Sequence, residues 1–115
     1  MKRIYRLTRS GDIQRVRRSG SSYAHPLLVL IVDKAQEEPA FKVAFLASKS
    51  LGIAVSRNRA KRILRAAFEQ YYEEIMPGYN LLVIARAGLL TSSFTGVRSA
   101  LHQVLSKAKI IKEND

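Results

Sequence analysis

The chain contains no cysteine. Disulfides, thiolate zinc sites and thiol nucleophiles are excluded, and a reducing compartment is permitted. Acidic residues are scarce: nine Asp and Glu stand against twenty Lys and Arg, a formal net charge of +11 over 115 residues. Histidine is nearly missing too. His25 and His102 lie far apart, in no ligand spacing. Glu37 and Glu38 fall in a turn and Glu73 and Glu74 at a helix end, so both pairs read as solvated surface. No catalytic residue and no metal-ligand set is assigned. Long apolar runs are also absent. The longest, 27–32, is far short of the ~20 residues of a spanning helix. The first ten residues are charged and unlike a signal peptide. The expectation is a cytoplasmic protein without a membrane partner.

What is there suffices for one domain. Hydrophobic residues make up 47% of the chain. A chain this long buries roughly two-thirds of its unfolded surface, so it folds without staples. The expected unit is a single domain over 1–115, with a basic tail over 1–9 and a C-terminal tail over 110–115. A small domain needs only a few net charges for solubility, and an excess of +11 adds self-repulsion to the folded state. The excess points to an anionic partner, either nucleic acid or an anionic membrane surface.

The periodicities predict α-β-β-α-β-α, an α+β sandwich with one mixed sheet and helices packed on it. Thr8 or Ser10 caps a short helix that runs to about Ser19 and stops at Gly20. The run 27–32 reads as a buried strand and 41–47 as a second, joined through a polar turn at 35–39; a hairpin is the simplest pairing. A loop over 48–56 contains Gly52. From 56 to 76 the apolar residues Ala60, Ile63, Leu64, Ala67, Tyr71 and Ile75 recur in steps of three and four, a long amphipathic helix ended by Pro77 and Gly78. The run 81–85 is a third strand, parallel to the second because a helix separates them. A Thr/Ser-rich start over 91–95 opens a last helix carrying Val97, Ala100, Leu101, Val104, Leu105 and Ala108.

The long helix carries the functional signal. At 100° per residue Ala60, Ile63, Leu64, Ala67 and Tyr71 fill one sector. Arg57, Asn58, Lys61, Arg62 and Arg65 fill another, with Arg59 on the flank. Between Pro39 and Phe68 there is no acidic residue but seven basic ones, which add Lys42 and Lys49 to the helix cations. The order opposes helix electrostatics: cations crowd the positive N-terminal end, while Glu69, Glu73 and Glu74 lie toward the C-terminal end. A face selected for stability would mix or reverse these signs. A face kept for a polyanion reads this way. Arg outnumbers Lys twelve to eight. Guanidinium forks onto phosphate and stacks on bases, which favours structured RNA over a membrane. Asn58 adds a group able to contact a base edge or a 2′-hydroxyl.

The stretch Lys42-Val-Ala-Phe-Leu-Ala-Ser-Lys-Ser-Leu-Gly52, followed by Ala54-Val-Ser-Arg-Asn-Arg-Ala-Lys-Arg-Ile-Leu-Arg-Ala-Ala-Phe68, resembles the signature of the bacterial ribonuclease P protein subunit. Its core, Arg-Asn-Arg-x-Lys-Arg-x-x-Arg, is unbroken as Arg57, Asn58, Arg59, Lys61, Arg62 and Arg65. Asp12-Ile-Gln-Arg-Val16 with Gly20, and Tyr79-Asn-Leu-Leu-Val-Ile-Ala-Arg86, extend the likeness.

The resemblance implies a ribonucleoprotein that removes the 5′ leader from precursor tRNA. The RNA subunit and its Mg2+ ions perform the cleavage. The protein alone is not catalytic and binds no cofactor; it holds the leader between the sheet and the first helix, docks the catalytic RNA on the basic helix, and broadens substrate range. It also implies a left-handed β-α-β crossover. Where the family usually has aromatic leader-cleft residues, this chain has Ile13, Arg17 and Ile31, so stacking falls to Arg17 or to van der Waals contact. Lys49-Ser50 stands for the family's Lys-Lys, and Lys42 for a frequent Arg. The rivals are a ribosomal or other structural RNA-binding protein, a DNA-binding module and an autonomous nuclease. No helix-turn-helix pattern supports the second and no metal cluster the third, so no DNA partner is expected.

Overall fold

A computed structural model describes residues 6–35 and 40–112. The turn over 36–39, the first five residues and the last three lie outside the described residues. The elements in chain order are α1 (Ser10–Ser19), β1 (Ser21–Ala24), β2 (Leu28–Lys34), β3 (Lys42–Ala47), α2 (Ala54–Phe68), β4 (Tyr79–Ala85) and α3 (Phe94–Ala108). The architecture is the expected α+β arrangement of three helices on one mixed sheet, with an additional edge strand, β1. No helix among the described residues is long and apolar enough to cross a membrane.

The strand order is β1-β2-β4-β3. β4 pairs antiparallel with β2 and parallel with β3. The expected hairpin of 27–32 with 41–47 is therefore not formed, because β4 lies between the two. β4 is buried at five of its seven positions, which suits the central strand. β1 carries no strand signal of its own, since Ser21-Ser-Tyr-Ala24 is polar and largely exposed; its pairing with β2, not its composition, makes it a strand.

Side-chain alternation divides the core. Val43, Phe45 and Ala47 of β3, with Leu28, Leu30, Leu81, Val83 and Ala85, face α2 and α3. The intervening residues face α1, where Val16, Ile31, Leu82 and Leu7 form a smaller cluster. Phe68 anchors the larger side, with its ring 5.4 Å from Phe45, 6.1 Å from Phe41 and 5.3 Å from Tyr72. α2 ends at Phe68, shorter than the expected 56–76. A single 3₁₀ turn follows, and Ile75 bridges to Ile111 instead. α3 matches its expected span, with Ser93 as cap: its hydroxyl accepts from Gly96 N–H at 3.0 Å.

Two expected tails are packed where they are described. Leu7 is buried and its N–H donates to the Val43 carbonyl at 3.0 Å, so residues 6 and 7 border β3. Ile110 is buried and its carbonyl accepts from Met76 N–H at 2.8 Å. Each buries an apolar side chain directly after a basic residue, Arg6 or Lys109, which a charge count does not register.

The same Leu7 bond fixes the hand of the β3-α2-β4 unit. The Val43 carbonyl points away from β4, while its side chain points to α2. Ser48 N–H, five residues on, points to Ala85 of β4. An L residue whose side chain faces the viewer on a rising strand directs its peptide groups to the right. Seen from α2, β4 thus lies to the left of β3, and the crossover is left-handed. About 98% of such units are right-handed.

Candidate nucleic-acid interface

α2 starts abruptly. A 3₁₀ turn, Lys49–Leu51, ends at Gly52 with φ +89°, a conformation that favours glycine. Ile53 supplies no side-chain cap and the first helical turn holds no acidic residue. The first turn therefore supplies no carboxylate to offset the positive N-terminal end.

The basic face is present but not uniformly exposed. Asn58, Arg59, Arg62 and Arg65 are exposed, whereas Arg57 and Lys61 are half-buried. Arg57 Nη2 donates to the Ala47 carbonyl at 3.1 Å, and its Nε is buried with no partner among the described residues. The Arg65 guanidinium lies 6.0 Å from the Phe45 ring centroid. Arg57, Lys61 and Arg65, spaced four apart, thus form one stripe along the edge strand β3. This corrects the expectation that every cation lies opposite the core. Lys49 is exposed in the turn that leads into α2. Lys42 does not join them. It begins β3, on the α1 face of the sheet, whereas α2 starts beyond the far end of that strand, roughly 17 Å along it.

On the opposite face, α1 leaves part of the sheet uncovered. Val29, Ile84 and Leu46 are in register across β2, β4 and β3. With Ala44 they form a half-buried apolar strip. At 100° per residue, Ile13 and Arg17 stand on one flank of the buried Val16, and Asp12 and Arg15 on the other. Asp12 and Arg15 line a separate basin with Asp33 and Asn80, so Ile13 and Arg17 border the strip. Ile13 is half-buried and Arg17 exposed.

Ile31 is not open to this groove. It is 6% exposed, roofed by the end of α1. A Cβ on Gly20 would fall 2.7 Å from Ile31 Cγ2 and 2.5 Å from the Val16 carbonyl. Gly20 ends the helix as expected, but by permitting this close approach and not by a left-handed cap, since its φ is −76°.

The strip ends among cations. Arg57 is hooked to the last residue of β3, and Arg86 follows β4, its Nη1 donating to the His25 carbonyl at 3.2 Å. Sequence reasoning does not single out Arg86 as a site residue; its one signal is its place two residues after Ile84 in the Tyr79-to-Arg86 motif. Among the described residues no three His, Asp or Glu side chains come together to hold a metal. The surface thus combines a half-buried apolar strip with cations at its end.

Comparison with known proteins agrees with this geometry. The family model for Ribonuclease P matches residues 1–109. The ribonuclease P protein component of Herpetosiphon aurantiacus is 38% identical over 110 residues, covering 96% of this chain and 89% of that one. The solved RNase P protein of Staphylococcus aureus superposes with a TM-score of 0.82 at 30% identity, covering 94% of this chain and 98% of its own. That of Thermotoga maritima shares the fold, with a TM-score of 0.76 at 24% identity over 89% of this chain and 96% of its own.

Proposed function

The chain belongs to the ribonuclease P protein family, and from that membership we propose how its two surfaces serve a tRNA-processing ribonucleoprotein. Its partner is the RNA subunit and its substrate is tRNA. The basic stripe of α2, with Arg59, Arg62, Asn58 and Lys49, docks the catalytic RNA. The apolar strip beside Ile13 and Arg17 receives the single-stranded 5′ leader of precursor tRNA. The RNA subunit with its Mg2+ ions cleaves the precursor tRNA at the 5′ leader, and the described residues of this protein offer no metal-ligand set.

The observation that carries the reading is the uncovered strip of Val29, Ala44, Leu46 and Ile84, which ends at Arg57 and Arg86. An apolar floor suits base faces, and the cations at its end suit phosphates. The strip has no aromatic side chain, so leader bases pack on aliphatic groups and on the Arg17 guanidinium plane. The test is reconstitution with the catalytic RNA. The mixture should cleave precursor tRNA at low Mg2+, where RNA alone does not, and bind leader-bearing tRNA more tightly than mature tRNA. Equal affinity for both tRNAs would remove the leader assignment. RNA binding without enhanced cleavage would favour a purely structural RNA-binding role.

A further inference from the structure

The basin on the other flank of α1 is not used by either surface. Its volume is about 640 Å3, enough for one nucleotide. Among the described residues, five cations line it: Arg6, Arg9, Arg15, Lys34 and Lys42. Two carboxylates, Asp12 and Asp33, oppose them, and Asp12 is already engaged by Arg15 at 2.9 Å. Among the described lining residues the balance favours an anion.

Asn80 lies at the floor. It is 5% exposed, the one buried polar side chain among the described residues, and stands in register between Asp33 of β2 and Lys42 of β3. Its Oδ1 is buried without a hydrogen-bond partner. Buried polar groups are nearly always satisfied, and an orphan needs an explanation. The phosphodiester of a strand cannot supply one, because it offers only acceptors and Oδ1 is itself an acceptor. A hydroxyl donates, so it can satisfy Oδ1 as the Asn80 amide stands. The ligand that fits both the cations and the amide carries a hydroxyl beside a phosphate.

We propose that this basin binds a ribonucleotide unit of an RNA strand, with its phosphate on the cations and its 2′-hydroxyl on Asn80. The proposal rests on the RNA-binding reading above but uses different residues, on the far flank of α1 from the leader strip. It assigns the chain a second strand contact and a means of telling RNA from DNA.

The test uses the free full-length chain, 15N-labelled, so that it is independent of cleavage and leader preference. The Asn80 side-chain amide signals are followed during titration with a short single-stranded RNA, the DNA of the same sequence, adenosine 3′-monophosphate and inorganic phosphate. RNA should shift these signals saturably, about fivefold more tightly than DNA, the effect of one hydrogen bond. The nucleotide should give a weaker shift of the same kind, and the strand's extra affinity identifies RNA as the physiological source. Arg9→Ala with Lys42→Ala should weaken the RNA effect and leave the fold intact. Asn80→Ala, if it folds, should bring the RNA-to-DNA ratio to about one. Unmoved Asn80 signals, equal effects of RNA and DNA, or a full effect from inorganic phosphate alone would each overturn the assignment. A negative result here alongside intact leader preference would leave the proposed function standing.

Discussion

Arg57 reaches from α2 back to the carbonyl of Ala47, the last residue of β3. This bond ties the start of the basic helix to the end of the strand beneath it. A residue that the sequence assigns wholly to RNA thus also closes part of the fold. Arg57→Ala should lower the unfolding free energy by about 1 kcal/mol, the usual net value of one hydrogen bond. Arg59→Ala, fully on the surface, should change it by less than about 0.5 kcal/mol. Urea unfolding of the two variants side by side checks the contrast.

Arg62→Ala combined with Arg65→Ala should weaken RNA binding far more than folding. Arg62 is exposed, and Arg65 adds only its position over Phe45, worth about 0.5–1 kcal/mol at an exposed site. Every phosphate that the double variant no longer neutralises should flatten the log–log salt dependence of affinity by roughly 0.7 to 0.9. Affinity measured at several salt concentrations, with thermal unfolding of the free protein, separates the two effects. Early melting with an unchanged salt slope would mark these arginines as structural.

Ile13→Phe should strengthen the leader strip. The side chain is half-buried beside Val16, and a ring there offers a stacking surface that Ile lacks. The gain for leader-bearing tRNA over mature tRNA should approach the ~1–3 kcal/mol of one base stack. An equal change for both substrates would mean that Ile13 serves the core under α1 alone.

Gly20→Ala should be among the most damaging single-methyl changes in the chain. The new Cβ would lie within 3.0 Å of the Val16 carbonyl, Ile31 Cγ2 and the Val32 carbonyl, and two of these are backbone atoms that cannot turn aside. Relief requires α1 to lift from β2, at about 1–3 kcal/mol by analogy with overpacked cores. Denaturant unfolding reads the effect. Gly11→Ala, where a Cβ meets nothing within 4 Å, is the control.

Much of the molecule is legible in its sequence, for identifiable reasons. α3 announces itself through Val97, Ala100, Leu101, Val104 and Leu105 because a helix that packs along one side needs apolar residues at that period. The cation order of α2 is readable because charge on a helix face is a local property of spacing. The end of α2 is not, because Tyr71 and Ile75 keep the helical period while already serving other contacts; Ile75 pairs with Ile111 across the chain. β1 is invisible because Ser21 and Ser22 carry no strand pattern, and their hydrogen bonds come from β2.

Composition and helical spacing are local properties. They are enough to point to an anionic partner and to place the cations of α2 on a shared helix face. The neighbours of each strand are not local, and three-dimensional packing alone places β4 between β2 and β3. That choice sends Lys42 to one end of the strand and Arg57 to the other. It also buries Ile31 beneath Gly20, leaves Val29, Ala44, Leu46 and Ile84 uncovered, and sets the Asn80 Oδ1 unpaired under a ring of cations. The physical reason is burial over long range: β2 and β3 both gain more by packing against the apolar strand β4 than by pairing with each other.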